Sequence, residues 1–179
     1  TAAYRRYEFH VIYQKIHNFC VVDLGGCYLD IIKDRLYTTP ASSAARRSAQ
    51  TAMYHITEAM VRWLAPILSF TAEEIWHAMP GTRAASVMLA VWHPLPEPPG
   101  SEVDWELFGA LKADVARELE LLRVAGTIGA PLEAEVDIYC TAQDIVKLSG
   151  LGDELRFVLI TSAARVHVVD QPPLGSTGA

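Results

Sequence analysis

Eight apolar side chains, Ala52, Met53, Ile56, Ala59, Met60, Trp63, Leu64 and Ile67, hold helical spacing through about four turns. A strand would divide them between two faces, because its side chains alternate at every residue. A helix gathers them into one stripe. Ser42 or Ser43 can cap this helix, since a serine oxygen accepts from the amides that a first turn leaves open. Pro66 should end or kink it by removing an amide and crowding the preceding turn. An element this long and apolar on one side has to bury its stripe against neighbours.

The flanking segments supply those neighbours. Phe9, Ile12, Tyr13, Ile16 and Phe19 or Cys20 keep helical spacing and predict one buried stripe. Gly25-Gly26 loosens the next stretch, and Asp23 is a plausible N-cap for a second helix carrying Tyr28, Leu29, Ile32 and Leu36. Thr38-Thr39-Pro40 ends that helix, because the residue before proline avoids helical geometry. Thr71-Ala-Glu-Glu74 reads as a capping box opening a short helix with Ile75 and Trp76, which stops at Pro80-Gly81. Arg62, Trp63 and Trp76 read as interior architecture.

The composition then changes. Ser86 to Val91 is apolar and predicted extended, and His93 to Gly100 packs four prolines into eight residues, as a linker or surface strap would. Asp104 caps a further helix bearing Trp105, Phe108, Leu111, Val115, Leu119 and Leu122, which ends between Gly126 and Pro131. Leu132 to Tyr139 alternates apolar and acidic residues, the pattern of a strand with one wet face. Helices near 142–148 and 152–160 lead to a second strand at 165–169, expected to pair antiparallel with the first. The expected fold class is mainly α: a helical bundle over residues 1–100, then a helix and small α+β subdomain over 101–170, then a flexible tail at 171–179.

Catalytic constellations are missing from this pattern. The six histidines never fall at i, i+3 or i+4 spacing, and there is no glycine-rich phosphate loop and no G-x-S-x-G elbow. Glu73 and Glu74 point about 100° apart on a helix and do not form a carboxylate pair. Cys20, Cys27 and Cys140 lie at no metal-ligand spacing and read as free thiols in a reducing cytoplasm. No catalytic residue and no metal ligand is expected. No apolar run approaches the length of a membrane span. The chain opens at Thr1 without Met and reads as a piece of something longer.

Charge narrows the partner class. The net charge of −6 argues against a general nucleic-acid binder. Residues 1–47 nevertheless carry seven Lys/Arg against four acids, while residues 101–179 carry six against thirteen. Any RNA contact should fall on the first half, with the field of the second discouraging non-specific association. Lys112, Arg117 and Arg123 have acidic neighbours and read as a solvated face.

Several runs resemble one known family. They are Tyr7-Glu-Phe-His10, Tyr28-Leu-Asp-Ile-Ile-Lys-Asp-Arg-Leu-Tyr37, Ala45-Arg-Arg-Ser48, Val61-Arg-Trp-Leu-Ala-Pro-Ile-Leu-Ser-Phe70 and Ala72-Glu-Glu-Ile-Trp76. In this order they resemble the helical anticodon-binding domain of isoleucyl-tRNA synthetases, with weaker echoes at Ile128 to Ala134 and Leu151 to Arg156. The resemblance covers about residues 4–170. It implies a tRNA partner, the isoleucine isoacceptors, with no DNA and no membrane, in a monomeric cytoplasmic enzyme. It also implies that aminoacylation with ATP-Mg, and a structural zinc, belong to parts not present here; the nucleotide-binding H-x-G-H and K-M-S-K-S signatures are both absent. The same domain of a valyl enzyme and a helical protein-docking module without an RNA role are the alternatives.

On that resemblance, Lys33 and Arg35 near the end of one helix and Arg46-Arg47 at the start of the next flank one short turn and can build one positive patch. An anticodon loop exposes bases that stack on aromatic or guanidinium planes. Lys33, Arg46 and Arg47 are assigned to phosphates, and Arg35 and Tyr37 to bases. A plainer reading stands beside each. Lys33-Asp34-Arg35 would be a solvated helix end complementing the dipole, and Tyr37 would pack in the core. Arg46-Arg47 opens a helix, where the dipole disfavours cations, and this tilts the pair towards function.

Overall fold

A computed structural model describes residues 2–97, 104–171 and 173–176. It divides into two compact units, Thr1–Glu97 and Pro98–Ala179.

The first unit begins with α1 (Ala2–Arg5) and α2 (Phe9–Asn18), separated by Tyr7 in the left-handed conformation. The chain then stays helical to Tyr37. A π-helix, Phe19–Tyr28, runs into α3 (Leu29–Ile31) and α4 (Lys33–Tyr37). Asp23 therefore caps nothing; it lies inside the π-helix. The glycine pair works differently from the expected break. A Cβ on Gly25 would stand 2.9 Å from the Cys20 carbonyl oxygen, five residues back, and one on Gly26 would stand 3.1 Å from that of Val21. Their bare backbones let the helix close in wider, five-residue turns, as when the Leu29 amide donates to the Leu24 carbonyl. The expected buried stripe is only partly buried: Ile12 is covered, whereas Phe9 and Tyr13 are exposed.

The long α5 (Ala44–Leu64) starts at Ser43, whose Oγ accepts from the Arg46 amide at 3.2 Å, and stops just before Pro66. α6 (Ser69–Ala78) begins two residues before Thr71, so that threonine sits within the first turn and no capping box forms. Glu74 is exposed. It is Glu73 that acts, its Oε2 accepting from Ser86 Oγ at 3.0 Å and from the Val87 amide at 3.1 Å. The expected extended segment at Ser86 to Val91 instead contains a 3-10 turn, Val87–Leu89. Val61, Ala65, Ala72, Trp76 and Val87 form the core here.

One charge lies inside this core. Glu58 is only 2% exposed and pairs with Arg62 on its own helix and with Arg83 at 2.7 Å. Both guanidinium carbons stand over the Trp76 ring, 4.8 and 4.9 Å from its centroid, and Trp76 Nε1 donates to the Ala84 carbonyl at 2.8 Å. A buried carboxylate is tolerated only when its lone pairs are filled and its charge is matched. α5, α6 and the segment after Gly81 are thereby joined at one point.

The second unit opens with α7 (Trp105–Val124), capped as expected by Asp104, whose Oδ1 accepts from the Leu107 amide at 3.1 Å. A 3-10 turn, Pro131–Glu133, precedes β1 (Glu135–Cys140). α8 (Ala142–Leu148), a 3-10 stretch broken at Gly152, and α9 (Leu155–Leu159) lead to β2 (Ala163–Val168). The strands are parallel, Glu135 opposite Ala163 and Cys140 opposite Val168, not antiparallel as expected. Two helices between the strands give a crossover long enough to return the chain to the same end of the sheet. Ile138 on β1 packs with Phe108, Leu148, Leu155 and Leu159, while the exposed Glu135, Asp137, Tyr139 and Arg165 and the half-buried His167 form a polar ladder. Residues 98–100 of the proline-rich strap, and 172 and 177–179 of the expected flexible tail, lie outside the described residues.

Replacing Glu58 by Ala should lower the unfolding free energy by about 3–5 kcal/mol, because two guanidiniums lose their buried partner. Burial disfavours the Glu58 charge, but hydrogen bonds from Arg62, Arg83 and Tyr54 outweigh it and hold the carboxyl below its ordinary range. Its contribution is then full above that range and lost as pH falls through the lowered folded value. Urea melts of wild type and E58A should differ most near neutrality and converge on acidification; a gap independent of pH would contradict this role.

Candidate nucleic-acid interface

The five residues assigned to RNA flank the turn between α4 and α5, Lys33, Arg35 and Tyr37 on α4 and Arg46 and Arg47 in the first turn of α5. Pro40 stops α4, so the carbonyls of its last turn need other donors. Two threonine hydroxyls donate to that turn: Thr38 Oγ1 to the Asp34 carbonyl at 2.6 Å, which the Thr38 amide also reaches at 2.9 Å, and Thr39 Oγ1 to that of Arg35 at 2.5 Å. Ser43 Oγ donates to Thr39 Oγ1 at 3.1 Å while accepting from the first turn of α5. Arg46 Nη1 reaches back to the Thr39 carbonyl at 3.4 Å.

The five assigned side chains are not equivalent in this frame. Tyr37 is 80% exposed, so it is not a core residue, and its ring is free to receive a stacked base. Arg47 is also exposed. Lys33 is exposed too, but its ammonium lies 2.6 Å from Asp30, and this hydrogen bond raises its pKa. Arg35 and Arg46 are half-buried. Burial raises the pKa of the Tyr28 hydroxyl, an effect the Arg35 charge partly offsets. Exposure thus separates presented groups, Tyr37 and Arg47, from the half-buried Arg35 and Arg46.

On α7 the cations are matched by acids. Arg117 lies 3.0 Å from Asp114, and Arg123 binds Glu120 through two hydrogen bonds at 2.6 and 2.7 Å.

Residue patterning does not reveal pairs that are distant along the chain. His55 Nδ1 and His93 Nε2 meet at 2.9 Å, although 38 residues separate them. Burial and the Arg62 charge lower the pKa of His93. The hydroxyl bridge through Thr39 and Ser43 is a further feature absent from the sequence-based expectations, although two threonines before a proline and a capping serine after it are a usable signal. Among the described residues no group of three or more His, Cys, Asp or Glu could hold a metal ion.

Residues 1–138 match the family described as the anticodon-binding domain of tRNA ligase. Over its whole length the chain is similar to an isoleucine–tRNA ligase of Halorhodospira halophila, with 57% identity over 183 residues. It is also similar to those of Alkalilimnicola ehrlichii, 57% identical over 97% of the chain, and Nitrosococcus oceani, 56% identical over 96%. In each case it covers 19% of the relative's length.

Ser43→Ala should destabilise the first unit by about 1 kcal/mol through loss of the N-cap. Chemical denaturation followed by circular dichroism measures this. An unchanged midpoint would show that the hydroxyl bridge does not hold the turn.

Proposed function

The chain belongs to the anticodon-binding domain family of tRNA ligases, and from that premise we propose that it reads the anticodon stem-loop of isoleucine tRNA. It does so as part of a longer, monomeric cytoplasmic isoleucine–tRNA ligase. ATP-dependent aminoacylation takes place elsewhere in that protein. The observation that carries this reading is the Tyr37 ring, standing in solvent at the end of α4 beside a turn flanked by cations.

Each part of the turn has a physical task. Bases of a loop are unstacked at their tips, so an exposed aromatic ring offers them a surface worth about 1–3 kcal/mol per stacked base. Arg47 supplies a fixed positive charge and a planar fork of donors for a phosphate. Lys33 can bind a second phosphate by exchanging Asp30 for the RNA backbone. Arg35 and Arg46, both half-buried, contribute field at the turn, and Arg46 also donates to the Thr39 carbonyl. The acidic excess of residues 101–179 repels phosphate and limits binding away from the turn.

ATP with Mg2+ and a structural zinc are assigned to other parts of the ligase. Among the described residues no group of three or more His, Cys, Asp or Glu offers a ligand set for either metal.

Binding of this chain to an isoleucine anticodon stem-loop should weaken steeply with salt. The K33A/R35A/R46A/R47A variant should bind at least about tenfold more weakly. Its slope of log K against log salt should be shallower by about 0.7 for each phosphate that the protein no longer neutralises. Filter binding or fluorescence anisotropy at several ionic strengths measures both. A salt-independent affinity, or an unchanged slope in the variant, would favour a protein-docking role for the bundle.

A further inference from the structure

Thr39 is the point where α4 and α5 are tied together. Its Oγ1 donates to the Arg35 carbonyl and accepts from Ser43 Oγ, and its carbonyl accepts from Arg46 Nη1. One of these bonds goes back to the last turn of α4 and the others go forward to the cap and first turn of α5. Pro40 follows and disfavours continuing the helix through Thr39. Tyr37 lies two residues before Thr39, and Arg47 follows the cap Ser43 by four.

We infer that Thr39 is a positioning residue for RNA binding. Its hydroxyl fixes the end of α4 against the start of α5, so that the Tyr37 ring and the Arg47 guanidinium meet a base and a phosphate of the same loop together. This deepens the proposed function and rests on it. Without the hydroxyl, the two presented groups are no longer held in register. The conformational freedom returned to the turn must be removed again on binding.

The test uses the 179-residue chain and an isoleucine anticodon stem-loop RNA, with folded fractions checked by circular dichroism. T39V should weaken binding about tenfold, whereas T39S, which keeps the hydroxyl, should stay within about twofold of wild type. Y37A should weaken binding by a similar factor, and T39V/Y37A should be no weaker than the worse single variant, because Thr39 acts through Tyr37. A hydroxyl with only a structural role would lower the melting temperature and leave the affinity of the folded chain unchanged. If wild type binds and T39V binds equally well, or if the two losses simply multiply, the positioning role is overturned while anticodon reading stands. If wild type binds no stem-loop, anticodon reading fails and the positioning role falls with it.

Discussion

The buried carboxylate of Glu58 is the constraint on which the first unit turns. A charge this deep must be matched, and the matching groups, Arg62 and Arg83, come from α5 and from the segment after Gly81. Their guanidiniums then lie against the Trp76 ring of α6, so three parts of the chain meet around one acid. Apolar packing alone would tolerate sliding along the helix faces. A hydrogen-bonded ion cluster fixes a register, because any shift strands a buried charge. The N-terminal end of α5, where the candidate interface lies, extends from that fixed point.

The interface is built on a different principle. The turn from Thr38 to Ser43 has little apolar surface to bury, and its order comes from hydroxyls and a guanidinium satisfying the carbonyls and amides of two helix ends. Thr39, Ser43 and Arg46, spent on that order, are half-buried, whereas Tyr37 and Arg47 face outward. A rigid frame with a few presented groups suits recognition of a flexible loop, because less freedom is lost from the protein on binding.

Much of this is legible in the sequence, for local reasons. Ser43 and Pro66 mark the limits of α5, and Asp104 marks the start of α7, because caps and prolines act within one turn. The α8 boundaries also match expectation. The failures share a cause as well. Gly25-Gly26 looks like a break because a π-helix gains from glycine what an α-helix loses. Thr71 to Glu74 satisfies the pattern of a capping box, yet the helix has already begun at Ser69. Alternation in β1 reveals which residues face the core but holds no information on strand direction, which the crossover decides. The Arg83–Glu58 and His55–His93 pairs join residues far apart in sequence, and periodicity does not report such pairs. At the interface, the residue types are legible; which of them the fold keeps for itself is not.

The most direct measurement is the footprint of the RNA on the protein. Amide chemical shifts of the chain would be followed while an isoleucine anticodon stem-loop is added, beside a valine stem-loop as control. Perturbations should centre on residues 33–51, be strongest around Tyr37 and Arg47, and be larger for the isoleucine loop. Perturbations centred on α7 or on the ladder of β1 and β2, with the α4–α5 turn silent, would contradict this assignment.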